Sequence, residues 1–122
     1  MKRLLMIIAA VATFLGAMAA QKASFPGGED AMNKYLAANI VYPAAAKANG
    51  VEGVVVVIAV VNPDGTLGTL KIQRMIDPDL EQEAIRVVKK MPKWTPATDD
   101  SGTPVSSTAD IPVVFELSAS DE

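Results

Sequence analysis

The fold is decided by residues 51–76, which read VEGVVVVIAVVNPDGTLGTLKIQRMI. Residues 51–61 are dominated by β-branched side chains and are too few for a comfortable helix, so they predict a strand. Residues 62–65 have the composition of a turn, with proline and glycine in suitable places. Residues 66–76 then predict the return strand of a hairpin.

The first strand is apolar on both of its alternating sides. One side carries Val54, Val56, Ile58 and Val60, and the other carries Val55, Val57, Ala59 and Val61. Such a strand is expected at the centre of its sheet. Helices are expected to cover one face, and we assign Val55, Val57 and Val61 to the opposite face. That face is left partly apolar, for the N-terminal segment, a dimer mate or another partner to cover.

Three helices are expected around the hairpin. Residues 29–39 carry apolar side chains at helical spacing. Residues 43–50 predict a short helix with Pro43 at its first position and a glycine after its end. Residues 77–91 predict an amphipathic helix capped by Asp77, with Pro78 at its first position.

The last strand is expected at residues 106–117, after a loop at 93–104. Its odd-numbered apolar residues face the core, and its even-numbered residues face away. Pro112 cannot donate a ladder hydrogen bond, so this strand is expected at an edge. The element order predicts an α+β fold, with a three-stranded antiparallel sheet of order 2-1-3 and helices packed on one face.

The N-terminus predicts export. Lys2 and Arg3 precede an uncharged apolar run over residues 4–20, and residues 17–19 have the small-residue pattern of a signal-peptide cleavage site. A membrane-spanning helix needs about 20 apolar residues, so this run is short for an anchor. We therefore expect residues 1–19 to be a signal peptide and the protein to be periplasmic. The alternative is a short anchor that holds it in the inner membrane, facing the periplasm.

The composition excludes several kinds of chemistry. The 122 residues include no cysteine and no histidine, which removes disulfides, Cys/His zinc sites and histidine-dependent catalysis. The net charge of −3 does not suit a nucleic-acid binder. Asp77 and Asp79 fit a helix cap better than a catalytic pair, and Lys89, Lys90 and Lys93 fit the end of a helix. We expect no enzyme activity, no cofactor and no metal.

The edge of the last strand is the feature with the clearest capacity to bind. Exposed edge strands normally carry charged residues or proline that hinder pairing with another strand. Here the residues with that effect are only Asp110, Pro112 and Glu116. An extended peptide can add to such an edge, with backbone hydrogen bonds giving affinity and alternate side chains giving specificity. An ordinary edge strand without a partner is the alternative.

Several short motifs, in order along the chain, resemble the C-terminal domain of TonB. They are Tyr42-Pro43, Glu52-Gly53-Val54-Val55-Val56, Asp64-Gly65-Thr66-Leu67, Asp79-Leu80 with Ala84, Met91-Pro92-Lys93-Trp94-Thr95-Pro96, and Ile111-Pro112-Val113-Val114-Phe115. The lead-in Phe25-Pro26-Gly27-Gly28-Glu29 is similar to that of Bacteroidetes-type energy transducers. No single one of these motifs is specific to the family, but the whole set in this order is. It predicts this domain over residues 25–118.

The resemblance implies a periplasmic domain that binds the TonB box, a short segment of TonB-dependent outer-membrane receptors, by strand addition at the last strand. It also implies a receptor contact through the segment before the Tyr-Pro pair. The implied partner-binding residues are Asn39, Ile40, Val41, Tyr42, Ser107, Thr108, Asp110, Pro112, Val114 and Glu116. The family couples the inner-membrane proton-motive force to uptake of siderophores, vitamins or glycans, together with ExbB and ExbD.

This sequence differs from a full transducer in three respects. Only residues 20–24 separate the apolar run from the domain, where a transducer has a Pro-rich spacer. The apolar run has the pattern of a cleavable signal, and the histidine of a typical transducer anchor is absent. We therefore expect an exported protein-binding module. The alternatives are a membrane-anchored transducer working with ExbB and ExbD, and a self-associating envelope protein that forms a homodimer through the apolar sheet face.

Overall fold

The computed structural model describes residues 19–74 and 76–117. The elements in chain order are α1 (Glu29–Asn39), α2 (Ala44–Ala48), β1 (Gly53–Val61), β2 (Leu67–Ile72), α3 (Pro78–Lys89), β3 (Ala97–Thr98), β4 (Pro104–Val105) and β5 (Ser107–Phe115). The expected signal peptide lies almost wholly outside the described residues, and so does residue 118, the last of the expected domain.

The central strand of the main sheet is β1, in an antiparallel arrangement of order β2-β1-β5. It pairs with β5 along its whole length, from Gly53 opposite Phe115 to Val61 opposite Ser107. Its pairing with β2 is shorter and has an irregular register between Ala59 and Val61. The α+β class, the predicted strand order and the edge position of the last strand are all confirmed.

One face of this sheet is buried beneath the helices. The core side chains of the sheet are Val55, Val57, Ala59, Val61, Ile111, Val113 and Phe115, and those of α3 are Leu80, Ala84, Val87 and Val88. All of them are at most 1% exposed. A fully buried aliphatic side chain contributes about 1.5–3 kcal/mol relative to an exposed one. This face is therefore the main source of hydrophobic stabilisation in the domain.

The expectation that Val55, Val57 and Val61 lie on the open face is wrong. They lie under the helices, and the open face carries Val54, Val56, Ile58 and Val60 instead. Both alternating sets in β1 are apolar, so β1 by itself does not show which set faces the helices. The partner strands decide it, because Val57 pairs with Ile111 and Ile72, which belong to strands that alternate between apolar and polar residues.

The region after α3 also differs from the expected loop at 93–104, because it contains the short hairpin β3–β4. This hairpin is continued by the N-terminal lead-in, in which Gln21 bridges to Thr98 and Ser24 bridges to Thr95. Contacts between segments so distant in sequence leave no local signal. The second strand also ends earlier than predicted, at Ile72.

The helix termini are largely as predicted. Helix α1 spans the predicted residues, and Asp77 caps α3 by accepting hydrogen bonds from the backbone N–H of Asp79 at 3.0 Å and of Leu80 at 3.1 Å. Asp77 is thus a cap, and the N–H groups at the start of α3 are satisfied. Pro43 is extended at the N-cap of α2, one position before the predicted one.

A backbone hydrogen bond ties the β1–β2 turn to the segment after α3. The N–H of Trp94 donates to the carbonyl of Gly65 at 2.8 Å. Gly65 has a φ of 89°, and a Cβ at this position would lie 2.1 Å from the carbonyl oxygen of Trp94. Only glycine fits there, because both the backbone conformation and the space exclude a side chain.

We expect Gly65→Ala to lower the free energy of unfolding by about 3 kcal/mol or more, since the Trp94 backbone must move. The matched control is Gly50→Ala, where φ is 67° and no atom lies within 4 Å of the added Cβ. There we expect only the conformational cost of about 1 kcal/mol. Urea unfolding of both variants measures the difference, and equal losses would contradict the steric argument.

Candidate functional site

The free edge of the sheet is the outer side of β5. Within the described part of the chain, β5 pairs with β1 alone. The side chains of Thr108, Asp110, Pro112 and Val114 are exposed on this strand. The inward and outward alternation predicted for the last strand is therefore confirmed.

The register shows which backbone groups of β5 point away from the sheet. The carbonyl of Val56 accepts a hydrogen bond from the N–H of Gln73, at 3.0 Å, so the backbone groups of Val56 point towards the β2 side. Val56 lies opposite Pro112. In an antiparallel pair these two residues are therefore not hydrogen-bonded to each other, and the backbone of Pro112 faces the free edge. The proline nitrogen thus leaves the β1–β5 ladder intact.

The same alternation turns the backbone of Thr108, Asp110 and Val114 towards the free edge. Each of these three residues presents one N–H and one C=O, whereas Pro112 presents only a C=O. An added strand can form paired hydrogen bonds on both sides of Pro112 but can only donate at Pro112 itself. The free edge thus has two short stretches with both donors and acceptors, and they are separated by Pro112, which lacks the donor.

The segment before β1 lies against the Phe115 end of β5. The rings of Tyr42 and Phe115 meet edge to face, with centroids 5.6 Å apart, and the Tyr42 hydroxyl donates to the carbonyl of Val51. Val41 is 63% exposed, and Ile40 is half-buried. Of the predicted residues Asn39–Tyr42, the structure thus brings Tyr42 into contact with the last residue of β5.

A buried carboxylate holds that segment on α3. Glu83 is 8% exposed, and its carboxylate accepts from the N–H of Val41 at 2.6 Å. It also accepts from Arg86 Nε at 2.6 Å and from Arg86 Nη2 at 2.7 Å. Arg86 Nη2 in turn donates to the carbonyl of Asn39 at 3.0 Å. The Glu83–Arg86 pair therefore fixes both backbone groups that flank Ile40.

The hydrogen bonds from Arg86 are the main reason that the pKa of Glu83 is held below its ordinary value. Burial opposes them by raising the pKa, and the N–H of Val41 adds to the lowering. A carboxylate held ionised in this way is stabilising only while it is deprotonated. Sequence reasoning missed Glu83 and Arg86, although an acid between Leu80 and Val87 on the apolar side of α3 was a usable signal.

The Ser107 end of β5 borders a cavity of about 700 Å³. Ser107, Thr108 and Asp110 form one wall, and the lead-in residues 21–25 form another. Trp94 also lines it and packs edge to face on Phe25, with ring centroids 6.0 Å apart. This cavity thus lies at the Ser107 end of β5, whereas Tyr42 packs on Phe115 at the other end of the strand.

The remaining predicted features have structural roles or lie elsewhere. Glu116 is exposed just beyond β5, and the next residue, Leu117, donates its N–H to the Glu52 carboxylate at 2.6 Å. The carboxylate of Asp99 accepts from the N–H groups of Ser101 and Thr103 and so shapes the β3–β4 turn. On the open sheet face Val54 is 42% exposed and Val114 is 50% exposed. A homodimer packed on that face stays a prediction.

We expect Glu83→Gln to lower the free energy of unfolding near pH 7 by about 1–3 kcal/mol, because a buried charge-assisted pair is broken. The pKa of Glu83 is lower in the native state than in the unfolded state. Unfolding of the wild type in acid is therefore accompanied by proton uptake at this carboxylate. The Glu83 contribution is full above about pH 4.5, the ordinary value, and is lost below it. Chemical unfolding at several pH values measures both effects. Glu116→Gln, at an exposed position, is the control and should stay within about 0.5 kcal/mol of wild type.

This role would be contradicted if the free energy of unfolding of Glu83→Gln fell with pH as steeply as that of the wild type between about pH 5 and pH 3.

Comparison with known proteins identifies the family of the chain. Residues 38–117 match the family described as the Gram-negative bacterial TonB protein C-terminal. No curated protein matches the sequence. Within the described residues, no helix has the length and apolar character needed to cross a membrane.

Two solution structures of the Helicobacter pylori TonB C-terminal domain have the same fold. The longer segment is 21% identical, with a TM-score of 0.53, and the match covers 71% of this chain and 78% of that one. The shorter segment is 22% identical, also with a TM-score of 0.53, and the match covers 73% and 95%. The family match covers well over half of the sequence, and the chain therefore belongs to the TonB C-terminal domain family.

Proposed function

We propose that this protein binds an extended segment of a TonB-dependent outer-membrane receptor by strand addition at the free edge of β5. Family membership implies the coarser role, which is participation in TonB-dependent, energy-coupled transport at the cell envelope. Domains of this family are non-enzymatic modules, and their partners in general are outer-membrane receptors or ExbB and ExbD.

The observation that carries the proposal is the set of outward backbone groups at Thr108, Asp110 and Val114. They are N–H and C=O groups in extended geometry beside exposed side chains, which is what a peptide strand needs for pairing. Affinity then comes from the backbone, and specificity comes from the side chains that alternate along the edge.

The segment Asn39–Tyr42 supplies a second contact in this proposal. Glu83 and Arg86 hold its backbone in place, while the side chain of Val41 is left 63% exposed. Because the backbone is already held, a partner that covers Val41 would have little backbone to order.

The first test replaces Val114 by proline, which removes the outward N–H. Val114 is not hydrogen-bonded to β1 in this register, so the ladder is preserved and the fold is expected to survive. Peptide affinity is expected to fall about tenfold or more, since at least one backbone hydrogen bond is lost. Isothermal titration with synthetic peptides from the N-terminal segments of the TonB-dependent receptors of the same organism measures the change.

The matched control is Val114→Thr, which keeps the N–H and the β-branched shape. Its peptide affinity is expected to stay within about threefold of wild type, because the backbone bond is unchanged. Thermal unfolding of both variants shows that each is folded. Equal affinity in Val114→Pro and Val114→Thr would refute strand addition at this edge.

We further propose that residues 1–19 are removed and that the mature protein works in the periplasm. The expected result is an intact mass lacking these residues, found in the soluble periplasmic fraction by mass spectrometry of separated cell fractions. A full-length mass in the inner-membrane fraction would instead favour the anchored transducer, and copurification with ExbB and ExbD would then test that role.

A further inference from the structure

We propose that the open face of the sheet is the interface of a symmetric homodimer, in which two copies pack face to face about a two-fold axis parallel to β1. The open face consists of the side chains directed away from the helices, which are Val54, Val56, Ile58 and Val60 of β1, Lys71 of β2, and Thr108, Asp110, Pro112 and Val114 of β5. This inference goes beyond the proposed function, because strand addition uses backbone groups at the edge, whereas the dimer uses side chains on the face.

The middle of the open face is apolar. Every open-face residue of β1 is a valine or an isoleucine, and Val54 forms a cross-strand pair with Val114. These two side chains are 42% and 50% exposed, and they are two of the four large apolar side chains that are exposed in the described part of the chain. A contiguous apolar patch rimmed by polar residues is typical of a protein–protein interaction site.

One row of side chains across the open face carries opposite charges on its two sides. Ile58 pairs with Lys71 of β2 and with Asp110 of β5, and directly opposite residues of antiparallel strands have their side chains on the same face. Lys71 and Asp110 are both exposed, and neither forms an ion pair within the described residues. The open face therefore has a cation on the β2 side, an anion on the β5 side and an apolar line between them.

This charge pattern favours one way of stacking two copies. A two-fold axis parallel to β1, in the plane between the two sheets, places β5 of each copy over β2 of the other. Asp110 then meets Lys71 of the second copy, and symmetry forms this pair twice. A two-fold axis across the strands at Ile58 would instead place Asp110 over Asp110 of the second copy, which is repulsive. The axis parallel to β1 is therefore the arrangement with complementary charge.

The geometry of packed sheets allows both kinds of contact. Face-to-face sheets lie about 10 Å apart and are rotated by about 30° relative to each other. Since neighbouring strands are about 4.8 Å apart, this rotation displaces a side chain on β2 or β5 by about 2.5 Å, which the flexible stem of lysine accommodates. Along the axis, each open-face residue of β1 lies close to its own counterpart, so Ile58 packs on Ile58 of the second copy.

The size of the open face predicts a weak dimer. Strands β1 and β5 have nine residues each, and β2 has six. With about 3.3 Å per residue and about 4.8 Å between strands, the face covers roughly 400 Å² per copy. Interfaces of this size belong to the class of weak and transient assemblies. We therefore expect a reversible dimer with a dissociation constant of roughly 10–300 µM.

The test reverses the two charges one at a time and then together. Lys71→Glu places an acid over Asp110 of the second copy, and Asp110→Lys places a base over Lys71. Because two pairs are reversed in each dimer, each single variant is expected to weaken the dimer about tenfold. The double variant restores both pairs in the opposite sense and is expected to stay within about threefold of wild type. Lys34→Glu is the matched control, since it changes the net charge as Lys71→Glu does but lies exposed on α1.

Sedimentation velocity measures the equilibrium between monomer and dimer. The purified protein, in the form recovered from cells, is compared with its variants from about 5 µM to about 1 mM, a range that spans the expected dissociation constant. The charge pairs lie at an exposed rim, so added salt is expected to reduce the difference between each single variant and the wild type. Thermal unfolding shows that every variant is folded.

A second readout reports the direction of the two-fold axis. The chain has no cysteine, so Val60→Cys introduces a single thiol on the open face. An axis parallel to β1 brings the two thiols to facing strands about 10 Å apart, too far for a disulfide but within reach of a short bismaleimide cross-linker. An axis across the strands at Ile58 would separate them by about 13 Å more along the strand. We expect a cross-linked dimer with Val60→Cys and none with Lys34→Cys.

Three results would overturn the inference. One is a wild-type protein that stays monomeric at every concentration, which leaves the open face to another partner. A second is a dimer that neither Lys71→Glu nor Asp110→Lys weakens, which assigns the association to another surface. A third is a double variant as weak as the single ones, which contradicts the paired arrangement. The titrations of Val114→Pro and Val114→Thr measure peptide affinity instead, so the proposed function and this inference stand or fail separately.

Discussion

The antiparallel pairing of β1 with β5 is the constraint on which the rest of the domain depends. Every residue of β1, from Gly53 to Val61, has a partner in β5. This register places the buried valines of β1 beside Ile111 and Val113 and so forms the continuous apolar surface on which α3 packs. It also fixes which backbone groups of β5 face inwards and which remain outside. The buried core and the free edge are therefore two consequences of one register.

The surroundings of the free edge differ at the two ends of β5. At one end Tyr42 packs on Phe115, and the Glu83–Arg86 pair holds the neighbouring backbone. At the other end the lead-in and Trp94 line a cavity that is open to solvent. Pro112 interrupts the donors between them, which prevents an unbroken ladder with the edge of another copy. The free edge therefore offers two short stretches of paired donors and acceptors rather than one continuous ladder.

The sequence predicted the elements whose signals are local. The proline and cap at the start of α3, the turn at 62–65 and the alternation in β5 are read within a few residues, and each was correct. The failures share a different cause. The choice of which β1 side chains face the helices, the bridges of the lead-in to Thr95 and Thr98, and the role of Glu83 depend on contacts between segments far apart in the chain. The side chains of β5 that face outward could be predicted from their alternation. The direction of its backbone N–H and C=O groups could not, because it follows from the hydrogen bond between Gln73 and Val56.

The long span between β1 and β5 has a consequence for folding. During synthesis, the segment GVVVVIAVV leaves the ribosome before its nine partners in β5, which follow roughly fifty residues later. Until they arrive, an uncharged run of high β-propensity has only β2 to pair with on one side. Such a run is prone to intermolecular aggregation while it is exposed. Non-local pairing of this kind slows folding, and keeping that strand from other chains until β5 is available favours the native pairing.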